Sequence, residues 1–206
     1  MNRQTILRLI LYIAVTGASI IPMATVVHQS SCVYAANVAS SKWLLSYRGE
    51  TTNRVRWDSR FPELLDSGLP HIHASFYNLH DKLPKIALDA LSGTPDPVAV
   101  ESDRYVTLAA VVPEVGELKG LLWIDTEAPL SEMIFAALNQ DPAKTNQASL
   151  ALYTRSTAFT RRLPPQFTAS LRAWLSRKGI TKITQFTMTN SSGQSSTLPL
   201  TVLGLQ

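Results

Sequence analysis

The stretch from Pro97 to Leu138 constrains the fold of this chain more than any other part of the sequence. It contains four short apolar runs, each of strand length and rich in β-branched residues, which turn residues separate. The runs are Pro97–Val100, Tyr105–Val112, Leu118–Asp125 and Met133–Leu138. Short and closely spaced runs of this kind predict an antiparallel β-meander rather than a set of helices.

Helical patterns lie on both sides of the predicted meander. Asp58 or Ser59 is a suitable N-cap for a short helix that ends at Gly68, and Lys85–Leu91 predicts a second short helix. The clearest helix spans Gln166–Lys178, because its apolar residues fall on a single stripe and Gly179 follows as a natural C′ residue. The residues of that stripe are Phe167, Leu171, Trp174 and Leu175.

Further strands are predicted after the meander. They lie at Ser149–Tyr153, Ile180–Met188 and Leu198–Leu203, and a polar loop at Asn190–Ser196 separates the last two. Lys42–Arg48 fits a strand or a short helix equally well. The sequence therefore predicts an α+β fold, in which an antiparallel meander of about five strands is backed by short helices and extended by a C-terminal helix and strands.

Residues 1–35 have the pattern of a signal peptide. Arg3 and Arg8 form a basic n-region, Leu9–Val27 is uncharged and mostly apolar, and small residues permit cleavage between Ala35 and Ala36. We therefore predict a periplasmic or secreted domain at residues 36–206. Two alternatives remain open, because residues 9–27 are long enough to act as an uncleaved inner-membrane anchor and Cys32 offers a site for lipidation.

Charge and cysteine content exclude several classes of function. The chain has 19 basic and 15 acidic residues, and removing Arg3 and Arg8 with the leader leaves 17 basic residues. A charge this small, without a basic run that carries aromatics, argues against a nucleic-acid partner. Since Cys32 is the single cysteine, the chain after it contains no disulfide, no thiolate nucleophile and no cysteine-ligated metal.

Two groups of residues are candidates for a catalytic or metal-binding site. His71 and His73 would share one face if they lay on a strand and could then ligate one metal, with His80 and Asp81 close in sequence. Asp125 and Glu127 could act as paired carboxylates if burial separated their pKa values. A polar surface turn is the simpler interpretation of each group.

Other motifs give no support to catalysis. The serines in Asn190–Ser196 do not form a G-x-S-x-G elbow, and the chain has neither a G-x-G-x-x-G motif nor a P-loop. We therefore predict a protein that is not an enzyme and that uses no cofactor or metal.

The connection between the two strongest predicted strands is the best candidate for a recognition loop. It reads Pro113, Glu114, Val115, Gly116, Glu117, with two acids and with proline and glycine to set its shape. A short loop on a rigid sheet presents side chains to a partner at little entropic cost. An ordinary hairpin connection is the alternative.

Residues 58–153 resemble the Ivy family, the periplasmic inhibitors of vertebrate lysozyme. The similar features are Gly68-Leu69-Pro70 after a helix, the start at Val98–Val100, Tyr105 with the apolar run after it, the Leu122-Trp123 strand, and Met133–Leu138 followed by Leu150–Tyr153. The export leader fits this family too. The region 164–206 has no counterpart in it and is described as a C-terminal extension.

The predicted loop departs from the family pattern. The resemblance implies a disulfide-closed loop in which a Pro-His pair enters the lysozyme cleft and meets its catalytic carboxylates. This chain keeps Pro113, but Glu114 replaces the histidine and both cysteines are missing. Because Glu114 would repel carboxylates, we predict the fold without lysozyme inhibition of that type.

The sequence thus predicts an exported, non-enzymatic domain that binds another cell-envelope protein through residues 113–117. A peptidoglycan hydrolase is the class of partner that the resemblance suggests. The alternative function is an envelope structural or secretion-associated subunit, held to the membrane by an uncleaved N-terminal helix.

Overall fold

A computed structural model describes residues 40–76, 79–112, 118–140 and 146–203. The predicted leader, its cleavage position between Ala35 and Ala36, and the predicted recognition loop Pro113–Glu117 lie outside the described residues. In the part of the chain that is described, helices and a large β-sheet are combined in an α+β fold, as predicted.

The described helices and strands have the following bounds. The α-helices are α1 (Thr52–Arg56), α2 (Arg60–Gly68), α3 (Leu83–Ala90) and α4 (Pro165–Arg177). Shorter 3-10 helices lie at Ser41–Tyr47, Leu130–Glu132, Ala158–Thr160 and Leu200–Leu203. The strands are β1 (His73–Phe76), β2 (Leu79–Lys82), β3 (Thr94–Pro95), β4 (Ala99–Glu101), β5 (Tyr105–Val112), β6 (Leu118–Asp125), β7 (Ile134–Gln140), β8 (Gln147–Tyr153), β9 (Lys182–Thr189) and β10 (Ser195–Thr197).

Eight of these strands form one sheet in the order β10-β9-β8-β7-β6-β5-β3, and β4 also pairs with β5. Strands β5 to β8 are consecutive antiparallel neighbours, which confirms the predicted meander, and β5 and β6 have the predicted bounds. Strand β9 runs parallel to β8, and α4 lies in the connection between them. Strands β1 and β2 form a separate antiparallel hairpin.

Strands β5 and β6 of the sheet are buried on both faces. On β6, Leu122 and Ile124 pack into the core that contains α1, α2 and α3, and we call this side of the sheet the α3 face. Leu121 and Trp123 pack into the core that contains α4, and we call that side the α4 face. Burial on both sides explains why β6 is a nearly continuous apolar run instead of an alternating one.

Helix α4 follows its predicted pattern closely. Its four stripe residues are buried against the α4 face, and Pro165 occupies the first turn, where a missing N–H is tolerated. Gly179 has a φ of +69°, and the Ile180 N–H donates to the Leu175 carbonyl at 3.0 Å. This arrangement is a Schellman-type helix end, which requires a left-handed residue at the glycine.

The predicted strand Leu198–Leu203 is wrong. Ser195–Thr197 pairs with β9 in its place, and Leu200–Leu203 is a 3-10 helix whose Leu203 is buried against the α4 face. The polar loop is correspondingly shorter than predicted, because the chain reverses at Gly193, which has a φ of +77°. Pro199 cannot donate a hydrogen bond to a neighbouring strand, which is consistent with the end of pairing before it.

At the start of the described chain, the open choice at Lys42–Arg48 resolves as helical, because Ser41–Tyr47 is a 3-10 helix with Leu44 fully buried. Helix α2 begins close to the predicted cap. The Asp58 side chain accepts the Arg60 backbone N–H at 2.9 Å and so satisfies one free amide of the first turn. Among the described helices, none combines the length and the apolar character needed to cross a bilayer.

Candidate functional site

The frame of the predicted recognition loop is the β5–β6 hairpin. Its two strands pair in continuous register from Tyr105 and Asp125 to Val112 and Leu118. Five residues connect the last pair, and they are the predicted Pro113–Glu117, which lie outside the described residues. The structure therefore describes where the loop starts and ends but not its conformation.

The root of this hairpin is held against the end of helix α3. A Cβ added to Gly93 would lie 1.9 Å from the Val111 carbonyl oxygen, so the backbones are in direct contact there. A Cβ added to Gly120 would lie 2.9 Å from the Ala90 side chain. Glycines at both positions therefore allow the helix end and the two strands to approach closely.

Polar side chains close the other side of the root. On the α4 face, Lys119 and Gln140 are almost fully buried, and the Lys119 ammonium donates a hydrogen bond to Gln140 Oε1. Lys119 comes one residue after Leu118, at which the described part of β6 begins. This hydrogen bond joins the ends of β6 and β7 beside the loop.

The candidate carboxylate pair, Asp125 and Glu127, lies at the opposite end of the same hairpin, where Arg104 binds it. Arg104 Nε and Nη2 donate to the two oxygens of Asp125 at 2.7 and 2.6 Å, and Nη1 lies 3.0 Å from Glu127 Oε2. This is a bidentate arginine–carboxylate contact that a second acid extends. The Arg104 guanidinium also lies 5.1 Å from the centroid of the Tyr105 ring.

The electrostatics of Asp125 do not match those of the acid in a glycosidase pair. Burial raises the pKa of Asp125. Hydrogen bonds from Arg104 and from the Glu127 backbone N–H lower it by a larger amount, so the pKa is below its usual value. Glycoside hydrolysis needs one carboxyl whose pKa is raised so that it can act as an acid. The contacts of Asp125 therefore indicate an ion pair that ties β5 to the end of β6.

The candidate metal ligands His71 and His73 do not share a strand face. His71 precedes β1, and its Nε2 lies 2.6 Å from the Asp66 carbonyl oxygen at the end of α2. His73 begins β1, and its ring stacks on His80 of β2 with 5.7 Å between centroids. The strand that would align His71 with His73 begins only at His73, so His71 lies two residues before it.

The hairpin brings together a serine and a histidine that the sequence interpretation did not connect. Ser75 Oγ lies 2.8 Å from His80 Nδ1, and these two residues are directly opposite in the β1–β2 register. A hairpin interpretation of residues 73–82 would have paired them. Within the described residues, no cluster of three or more His, Cys, Asp or Glu side chains is placed to hold a metal ion.

Comparisons with known proteins add no relative to these observations. No protein-family model matches the chain. A search of curated proteins and a search of solved structures also find no significant match. The resemblance to the Ivy family, and the localisation and partner that it implies, therefore stay predictions.

Proposed function

We propose that the chain is an exported, non-enzymatic protein-binding domain that uses residues 113–117 to contact another protein of the cell envelope. The single observation that carries this proposal is the construction of the β5–β6 hairpin. Its strands are fully paired, buried on both faces and held at the root by Gly93 and Gly120. A loop whose two ends are fixed in this way loses less conformational freedom when it binds.

The chemistry of the loop suggests the character of its partner. Glu114 and Glu117 place two negative charges in five residues, so electrostatic complementarity favours a basic contact surface. The resemblance to lysozyme inhibitors suggests a peptidoglycan hydrolase as the class of partner. Contact with a basic rim of such an enzyme is compatible with Glu114, whereas insertion between catalytic carboxylates is not.

The test is a binding measurement with a defined panel of purified peptidoglycan hydrolases immobilised on a sensor surface. The wild-type chain is compared with Glu114→Ala and Glu117→Ala, and Glu63→Ala is the matched control because Glu63 is an exposed acid on α2. We expect at least one hydrolase to bind the wild type and the control equally and both loop variants more weakly. Equal binding of all four proteins would remove the loop from the proposal.

Export is a separate part of the proposal with its own measurement. Mass spectrometry of the protein recovered from cells reports where its N-terminus lies. A chain that starts at Ala36 supports cleavage of the leader. An intact N-terminus in the membrane fraction would favour the anchored structural subunit.

A further inference from the structure

A polar cleft lies on the α3 face of the sheet, away from the β5–β6 hairpin. It is bounded by the β1–β2 hairpin on one side and by strands β7, β8 and β9 on the other, and its volume is about 160 Å³. Small side chains, Ala137 and Ala151, form its floor. Phe76 and Tyr153 form an aromatic wall, with 6.2 Å between their ring centroids.

The strand register places polar side chains in rows across this floor. Asn139 on β7 lies opposite Ser149 on β8, and Ser149 lies opposite Gln185 on β9. In the next row, Ala151 lies opposite Thr187. Because residues in register share a face of the sheet, these side chains point into one space. The polar residues of the cleft are Ser75, Asn139, Ser149, Tyr153, Gln185 and Thr187.

A β-bulge in β9 produces this arrangement. The register shifts between Ala148 and Ser149, so that Thr184 is an extra residue on β9. Ile183 and Phe186 are both buried against the α4 face although three positions separate them. The bulge thereby turns Gln185 and Thr187 toward the cleft, which is a common role of bulges near binding sites.

The hydrogen-bonding capacity of the cleft is largely unused by the protein itself. In the described structure, no side-chain hydrogen bond involves Asn139, Ser149, Tyr153, Gln185 or Thr187. Tyr153 is only 8% exposed, and burial raises the pKa of its phenol, so the hydroxyl stays neutral and both donates and accepts. Asn139 and Gln185 are exposed and Ser149 and Thr187 are half-buried, so their polar groups face the solvent of the cleft and are accessible to a ligand that enters it.

The composition of the lining selects the class of ligand. Among the described residues, the lining contains amides and hydroxyls but no charged side chain, so these residues offer no counter-charge to a phosphate, a carboxylate or an amine. Amides and hydroxyls donate and accept together, which matches adjacent sugar hydroxyls. The volume is well below the roughly 300–1,000 Å³ of pockets for drug-sized ligands, so it suits one ring.

From these observations we infer that the cleft binds one sugar ring of a neutral carbohydrate. The inference does not depend on the proposed role of residues 113–117, because the two sites share no residue. An uncharged peptide segment is the other ligand class with similar hydrogen-bonding groups. The experiment below separates the two.

The test is an NMR titration of the full chain with three probes. They are an oligomer of N-acetylglucosamine, an oligomer of glucose and a neutral tripeptide amide. We expect saturable shifts with at least one oligosaccharide, confined to β1, to β7–β9 and to the side-chain amides of Asn139 and Gln185. Absence of saturable shifts with both oligosaccharides, or saturation with the tripeptide amide alone, would overturn the inference.

Variants locate the binding within the cleft. Gln185→Ala removes one exposed hydrogen-bonding side chain, and we expect binding about fivefold weaker. Ala151→Leu fills the floor and is expected to abolish binding. Gln166→Ala, on α4 at the other face, is the matched control and should bind like the wild type. Affinities unchanged in Gln185→Ala would contradict the inference even if Ala151→Leu does not fold.

Discussion

Gly93 lies where the chain leaves helix α3 and crosses the end of β5, and its replacement by alanine tests how firmly the hairpin root is held. A Cβ at this position would lie 1.9 Å from the Val111 carbonyl oxygen and 2.8 Å from the Val112 Cα. Both neighbours are backbone atoms, which have no alternative rotamer. The clash can therefore be relieved only by moving β5 away from the end of the helix.

The size of the effect follows from that displacement. Even a tight contact of 3.0 Å requires the two backbones to separate by more than 1 Å. Such a shift disturbs the pairing of Thr94 with Val111 and the hydrogen bond of 2.8 Å from the Asp96 N–H to the Ala109 carbonyl. With net values of about 1 kcal/mol per hydrogen bond and the lost packing, we expect Gly93→Ala to reduce the free energy of unfolding by about 3 kcal/mol.

Urea unfolding and thermal melting measure this loss, which corresponds to about 6–12 °C in Tm for a domain of this size. Gly179→Ala is the matched control, since that residue has a φ of +69° but nothing within 4 Å of an added Cβ. Its left-handed backbone costs an alanine about 1–2 kcal/mol. If Gly179→Ala destabilised the protein more than Gly93→Ala, close backbone contact at the hairpin root would be refuted.

Two further predictions concern the dependence of stability on pH and the packing of the core. The hydrogen bonds from Arg60 hold the pKa of Asp58 well below its usual range, so the stability that Asp58 contributes is present above the unfolded pKa of about 4 and is lost as pH falls. Asp58→Asn should therefore lower the free energy of unfolding at neutral pH and reduce its decrease as the pH falls. Urea unfolding from neutral to acidic pH measures this, and an equal decrease in both proteins would contradict the prediction. Trp174→Ala removes a fully buried side chain and should cost about 3–5 kcal/mol by the same assay. Trp57→Ala, at a side chain that is 72% exposed, should change the free energy of unfolding by no more than about 0.5 kcal/mol, and a larger loss there than at Trp174 would contradict the assignment of the core.

The parts of the fold that sequence predicts well are those that local patterns determine. The runs Tyr105–Val112 and Leu118–Asp125 are continuous, apolar and bounded by turn residues, so their limits are visible without tertiary information. The apolar stripe of helix α4 and the glycine at 179 likewise predict the helix and its end. Each of these elements has one period and one pair of boundary signals, and the signals agree.

The elements that sequence reasoning missed depend on distant parts of the chain. Strand β10 has three exposed polar residues and forms because β9 offers it an edge, not because its own residues favour a strand. The bulge at Thr184 also leaves a trace in sequence. Ile183 and Phe186 are three residues apart in an otherwise alternating strand, and one inserted residue reconciles both with a single buried face.

For the candidate sites, type of residue was visible but placement was not. Asp125 and Glu127 are two positions apart in the sequence, whereas their contact with Arg104 depends on the pairing of β5 with β6. The polar rows of the cleft come from β7, β8 and β9, and β9 joins them only through the parallel connection by α4. Such convergence is a property of the sheet order, which a single sequence does not reveal.

The two proposed sites follow from unequal cover on the α3 face. Helices α1 and α3 pack over β5 and β6, so the hairpin that carries the proposed recognition loop is well covered on this face. The β1–β2 hairpin, whose Ser75 and Phe76 line the cleft, packs over β8 through Phe76 and Tyr153. A helix packed over Ala137 and Ala151 would bury hydroxyls and amides without partners, which is unfavourable. The polar residues on β7–β9 are therefore consistent with the incomplete cover of the sheet there. The same sheet therefore has a well-covered hairpin at one place and a solvated cleft at another without any change in its core.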